Sequence, residues 1–393
     1  MDPHITEWLN LAVRWAHMIA GIAWIGASFY FNWLENHLDR SKPRKGLTGD
    51  LWAIHGGGIY HLEKYKLAPP QMPETLHWFK WEAYATFLTG FFLLAVVYYL
   101  NAQLYLVAPG SDLSSGAAIA ISVGSLIAGW FIYTTLCDSA LGKKPALLAA
   151  ILFILLVAAA WGFSQVFSGR GAFIHVGAII GTIMVGNVFR VIMPAQRALV
   201  GAIEAGREPD PALPAKGLLR SRHNNYFTLP VLFIMISNHF PSTYGHEYNW
   251  AVLAALAVLS VLARHYFNTR HESQKYAWTL PATAFGMIAL AFVVAPKQVA
   301  PANQEQQISF AEVEQVISER CSVCHSATPS FAGFSTAPAG VILDKPEQMQ
   351  TLASQIHAQS IATQAMPLGN ITQMTQQERD LVGLWIAKGA PIE

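Results

Sequence analysis

Cys321-Ser322-Val323-Cys324-His325 has the pattern C-x-x-C-H, the attachment sequence of a c-type haem. Two thiols add to the haem vinyl groups, and the histidine that follows coordinates the iron. Tethers and ligand must lie within about one helical turn of each other, which this spacing provides. A C-x-x-C pair can also be a redox dithiol or half of a zinc site, but His325 favours haem. One covalent haem c on Cys321, Cys324 and His325 is therefore expected. Such a haem moves single electrons, and the sequence on either side bears on their source.

Around this motif the pattern is that of a small soluble domain, residues 308–393. Ser309-x-x-Glu312 and Thr375-x-x-Glu378 have the form of helix capping boxes. The first opens a helix into the motif. The second opens a last helix carrying Leu381, Leu384 and Trp385 and ending at Gly389. A first helix leading to the haem and a last helix crossing it is the plan of a class I-like cytochrome c, which needs a sixth iron ligand. Met366, in the irregular stretch Met366-Pro367-Leu368-Gly369-Asn370, is expected to pair with His325 at the metal; Met349 and Met374 are its rivals. A Met/His pair raises the potential and suits an electron acceptor. The Pro-, Gln- and Ala-rich segment 296–307 reads as a linker.

Residues 1–295 are of another kind. Charged residues are 12% of the 393 and hydrophobic ones 53%, against roughly 25% charged in soluble proteins. A net charge of +1 leaves no basic excess for nucleic acid. Eight apolar runs, near 8–34, 82–106, 117–137, 146–165, 173–193, 228–241, 250–267 and 278–295, approach bilayer-crossing length. The expected fold is all-α: an eight-helix transmembrane bundle in a lipid bilayer, followed by the cytochrome domain. Cys137, at the end of an apolar run, reads as a buried thiol, and Gly177-x-x-x-Gly181 as a helix-packing face. No cleavable signal peptide is expected, because a positive segment ahead of the first run is missing.

Loop charge sets the orientation. Nearly all basic loop residues fall in the odd loops, from Arg40 and Lys42 to Arg270 and Lys275, whereas the even loops hold only Arg170. Odd loops are then cytoplasmic, both termini periplasmic, and the haem motif lies outside the bacterial inner membrane, where haem c is mounted.

Ionisable residues within spans point to function. By depth, His17, His175 and His239 fall in the outer half, and His77 and His265 near the cytoplasmic ends. Paired imidazoles between helices can hold a b-type haem, and such a relay is one reading; histidines satisfied by nearby carbonyls or hydroxyls are the other. Three cytoplasmic-side motifs are dense in polar groups: His55-Gly56-Gly57-Gly58-Ile59-Tyr60-His61, the stretch from His77 to Tyr84 with Lys80 and Glu82, and Arg220-Ser221-Arg222-His223-Asn224-Asn225-Tyr226. Arg, His and Asn suit a planar, amide-rich anion.

The stretches RWAHMIAGIAWIGASFYF (14–31), HGGGIYH (55–61), LHWFKWEAY (76–84), GNVFRVIMPAQ (186–196) and RSRHNNYFTLPVLFIMISNH (220–239) resemble the bacterial membrane-bound urate oxidase (urate hydroxylase) family. The resemblance spans the chain. It implies an eight-span domain joined to a cytochrome c, and oxidation of urate to 5-hydroxyisourate without hydrogen peroxide. Electrons would pass to the attached haem and on to the cytochrome c oxidase chain. It carries no catalytic residues over, so the candidate site comes from the residues themselves. Arg222 would bind the anion, Asn224 and Asn225 its amide edges, and His223 would act as base. Lys80 and Glu82 are further candidates, and Trp78 or Trp81 could stack on the ring. The alternative is a membrane-anchored electron shuttle, from quinol to an outside acceptor, with no substrate of its own.

Overall fold

The computed structural model describes residues 2–210, 212–295 and 308–392; the expected linker at 296–307 lies outside them. The chain is mostly helical. In the first 295 residues the helices are α1 (Pro3–His37), α2 (Trp81–Leu94), α3 (Ala102–Tyr105), α4 (Ser115–Asp138), α5 (Pro145–Val166), α6 (Gly169–Asn187), α7 (Met193–Glu204), α8 (Ala212–Ile236), α9 (Pro241–Tyr244), α10 (Asn249–Thr269) and α11 (Thr279–Val293). Among the described residues six helical stretches, Trp81–Tyr99, Ser115–Asp138, Pro145–Val166, Gly169–Glu204, Asn249–Thr269 and Gln274–Val293, are long and apolar enough to cross a membrane. The first and sixth expected spans correspond to α1 and α8. Both are long enough, at 35 and 25 residues, but more polar. They are the helices that carry His17 and the RSRHNNY segment.

The structure departs from all-α between α1 and α2. β1 (Leu47–His55) and β2 (Gly58–Tyr65) form an antiparallel hairpin in which His55 faces Gly58. The two turn residues, Gly56 and Gly57, have φ of 58° and 81°, the left-handed pair that a tight hairpin turn requires and that glycine adopts without strain. The glycine triplet is thus a turn. His55 is exposed, while His61 bonds Asp50 at 2.6 Å and stacks on Trp52.

α8 packs on both α6 and α10. At Gly177 a Cβ would lie 2.5 Å from Ile234 of α8, so the absent side chain lets the helices meet. Gly181 has open space instead, and only half of the expected small-residue face is used. Pro230, inside α8, removes one backbone donor, and the hydroxyl of Thr228 donates to the Asn225 carbonyl at 2.6 Å. After Asn187 the helix widens into a π-turn over Val188–Ile192, which re-aims the side chains on either side.

Residues 308–392 add α12 (Phe310–Ile317), α13 (Pro346–Thr351), α14 (Ala353–Ile356) and α15 (Gln376–Ala387) around a separate core of Val313, Ile317, Leu343, Met349, Val382 and Trp385. α12 packs against α15. The Thr375 capping box is made in both directions, but Ser309 makes no side-chain cap. This unit rests on the bundle: Gly369, at φ 61°, lies where a Cβ would be 3.2 Å from the Leu104 carbonyl, and Ala365 packs on the bundle core.

Buried Arg379 of α15 shapes the loop before α15. Its guanidinium donates to the carbonyls of Ser360 and of Met366, the latter at 2.8 Å. Replacing it with leucine strands those acceptors, and each charge-assisted bond contributes about 1.5–3 kcal/mol. Arg379→Leu should destabilise this unit by about 3 kcal/mol or more in chemical denaturation.

Candidate functional site

One cavity of about 890 Å³ lies between the two parts. Cys321, Cys324, His325 and Met366 all line it. A π-turn over Ser318–Ser322 carries α12 into the motif, and the amides of Cys324 and His325 both donate to the Cys321 carbonyl, at 3.1 and 2.9 Å. That turn puts both thiols and the imidazole on the same wall. The segment is held from behind by Ser322 donating to the Leu343 carbonyl at 2.7 Å and by the Leu343 amide donating to His325. His325 Nδ1 lies 3.1 Å from the Val341 carbonyl. A carbonyl only accepts, so Nδ1 carries the hydrogen and Nε2 keeps its lone pair, the arrangement of a metal-binding imidazole. Met349 and Met374 are buried in the domain core, 2% and 4% exposed, whereas Met366 lines the cavity.

The two thiols are free, and burial pushes Cys321 up to about 12 and raises Cys324 as well. Neutral thiols are the opposite of the low-pKa cysteines of a redox C-x-x-C. Among the described residues no group of three His, Cys, Asp or Glu is assembled to hold a metal ion, as a zinc site needs. The thiols, the oriented imidazole and a thioether lining the same cavity fit a covalent haem.

Arg320 lines the same cavity and bonds Glu378 at 2.8 and 3.0 Å and the Thr372 carbonyl at 2.8 Å. Burial pushes the Glu378 carboxyl up, but Arg320 and Thr375 outweigh it and hold the pKa below the ordinary 4.5. A depressed folded pKa gives stability that is present above the unfolded value and lost as pH falls through the folded one. Acid melting of the C-terminal unit should therefore steepen below about pH 4.5 in wild type. Glu378→Gln should flatten that limb; an unchanged pH profile contradicts the assignment.

The RSRHNNY segment divides between two faces of α8. On the first face, Arg220 is fully buried and donates to Asp138 at 2.8 Å, with its guanidinium 4.9 Å from the Tyr133 ring centre. The Tyr133 hydroxyl meets His223 Nδ1 at 2.8 Å and accepts from Asn187 Nδ2 at 2.9 Å. Asn187 Nδ2 also donates to Asn224 Oδ1 at 2.8 Å, and Asn224 donates to the Met184 carbonyl. Cys137 is buried here too, its Sγ 3.9 Å from His223. Three polar atoms of this network are buried without a partner: Arg220 Nε, Arg220 Nη1 and Asn187 Oδ1. An apolar cavity of about 380 Å³ between α4, α5 and α6 borders the network at Tyr133.

On the second face, Asn225 Oδ1 accepts from Arg264 at 3.0 Å and Asn268 at 2.7 Å, and Tyr226 meets His265 at 2.8 Å. Arg222, expected to bind the anion, is exposed, whereas Arg220 is fully buried. Lys80 lies 6.0 Å from the Trp81 ring centre, and Glu82 has one buried oxygen, Oε2, without a partner. No hydrogen bond or ion pair joins either to the α8 network among the described residues.

Among the described residues, no hydrogen bond or ring contact joins the histidines expected around a membrane haem to one another. His175 is wholly buried, and Nδ1 and Nε2 meet the Gly171 carbonyl and Ser122 hydroxyl at 2.7 and 2.5 Å, leaving no lone pair for iron. His17 Nδ1 meets the Thr86 carbonyl at 3.0 Å. His239 is exposed and lines the interdomain cavity. His77 is exposed against Phe79, and no ring contact or hydrogen bond joins it to His265 among the described residues.

Residues 3–295 match the family described as Urate oxidase N-terminal. The chain belongs to that family. The match covers the whole helical bundle, both faces of α8 and the bundle's wall of the interdomain cavity. No curated protein and no solved structure matches the chain.

Sequence reasoning missed Tyr133, Asn187, Arg14 and Arg170. Tyr133 is hidden in an apolar run, and Asn187 stood quoted in GNVFRVIMPAQ without a role. Arg170 had a signal: it is the only basic residue of the even loops.

Proposed function

We propose that the chain is a membrane urate:cytochrome c oxidoreductase, a urate hydroxylase. It takes urate and water to 5-hydroxyisourate, two protons and two electrons, with the electrons leaving singly. The observation that carries the reading is the cavity holding C-x-x-C-H: the urate oxidase family domain itself forms its other wall. Cys321, Cys324, His325 and Met366 would hold a haem c there, which would supply a one-electron acceptor. The bundle crosses the inner membrane eight times with both termini periplasmic, and the electrons continue to the cytochrome c oxidase chain.

Substrate binds at the first face of α8. Urate is a planar anion with carbonyl oxygens and ring N–H groups. Arg220 Nε and Nη1 are donors awaiting an oxygen, and Asn187 Oδ1 is an acceptor awaiting an N–H. Tyr133 and Asn224 hold these groups in place, and His223 takes the proton released as water adds at C5. Arg170 and Asn187 are at opposite ends of α6, so at 1.5 Å per residue the network lies about 25 Å from the cavity. Aromatic rings shorten that step. Trp130 adjoins Tyr133 at 6.2 Å, and Tyr98 lies 6.2 Å from His175 and 6.4 Å from Tyr105, which lines the cavity.

Anaerobic membranes containing the protein should consume urate with ferricyanide as acceptor, two ferricyanides per urate, and produce no peroxide. Consumption that requires oxygen and yields peroxide would refute the reading.

A further inference from the structure

The positive-inside rule accounts for the basic residues of the odd loops and leaves Arg170 alone on the other side. Arg14 is equally out of place, a guanidinium within the first helix. These two residues, from α6 and α1, line the interdomain cavity together and are near enough to interact electrostatically. Neither forms an ion pair among the described residues. Arg14 directs Nε and Nη2 at the amide oxygen of Asn10 on its own helix, at 3.2 and 3.1 Å. Arg170 lies over Tyr105, 5.1 Å from the ring centre, and its Nε is buried with no acceptor. Glu7 lines the cavity without pairing with either. Two cations lining one cavity repel each other, and the buried Arg170 Nε without an acceptor is costly, so an anion belongs between them.

The opposite wall says which anion. Cys321 and Cys324 would tether the vinyl edge of a haem, which bears two carboxylates on the edge away from its vinyls. A haem tethered at the C-terminal wall would leave that carboxylate edge for the wall made by the bundle. We propose that Arg14 and Arg170 bind the two haem carboxylates, so that the cofactor itself fastens the C-terminal domain to the bundle. This rests on the haem c reading above. It adds that the membrane domain, and not the cytochrome alone, sets the haem potential: a cation beside each carboxylate favours the reduced, less positive iron.

The test is a potentiometric titration of the haem band in the purified full chain. Arg14→Gln and Arg170→Gln should retain covalent haem by pyridine haemochrome. Each should shift the reduction equilibrium about tenfold toward the oxidised form, which is a fall of about 59 mV for one electron, and the double variant should fall further. Arg14→Lys and Arg170→Lys keep the charge and should stay within about threefold of wild type. An unchanged potential in the double variant with full covalent haem would overturn the proposal. So would a tenfold fall in the lysine variants, which would assign the effect to packing. So also would a raised KM for urate at unchanged potential, which would assign the pair to substrate. Absence of covalent haem in wild type would instead strike the haem reading itself.

Discussion

Arg220→Gln is expected to lower urate-driven haem reduction by roughly 10²–10³-fold, the usual cost of removing one preorganised donor from a developing charge. Covalent haem should remain at wild-type level. Arg222→Gln, two residues away, should stay within about twofold. The contrast follows from burial: Arg220 is wholly enclosed and holds two donors without partners, whereas Arg222 is exposed. Asp138, which accepts from Arg220, is 44% exposed and can be rehydrated when the guanidinium goes, so the folded bundle should survive. Arg220→Lys keeps the charge but not the fork, and should recover only part of the rate. If Arg222→Gln were the inactive protein, the substrate site would lie outside the buried network.

The second large effect is at the iron. Met366→Ala should abolish the weak sulfur-to-iron band of the oxidised spectrum. It should also lower the potential by a sizeable part of the about 0.8 V that axial ligands command. His325→Ala should lose low-spin haem altogether. Met349→Ala should do neither, since Met349 is a core side chain at 2% exposure. Its loss should cost about 2–5 kcal/mol of stability with the band intact. The opposite pattern, a lost band in Met349→Ala, would mean that the cavity lining misassigns the sixth ligand.

Much of this arrangement was legible in the sequence because it depends on local spacing. C-x-x-C-H, the Thr375 capping box and the apolar runs each need only a few neighbouring residues. The HGGG stretch was legible in the same way, because its glycines answer the backbone demand of a hairpin turn. The RSRHNNY segment was read as one site because its residues are contiguous. On a helix, however, residues 220, 223 and 224 share a face, and 225 turns toward Arg264. What a linear reading lacked were the partners from other helices: Tyr133 on α4, Asn187 on α6, and the meeting of Arg14 with Arg170. The partners of the intramembrane histidines were hidden for the same reason. Depth can be read from position in a span, but whether Ser122 occupies a ring nitrogen of His175 cannot.

The central claim is that electrons taken from urate arrive on this chain's own haem. The most direct measurement is an anaerobic difference spectrum of the purified, oxidised protein after addition of urate alone. The account predicts growth of the reduced haem c bands with formation of 5-hydroxyisourate, one urate supplying electrons for two haems. A protein with full covalent haem that stays oxidised under urate, yet is reduced by a quinol, would contradict it and leave an electron shuttle in its place.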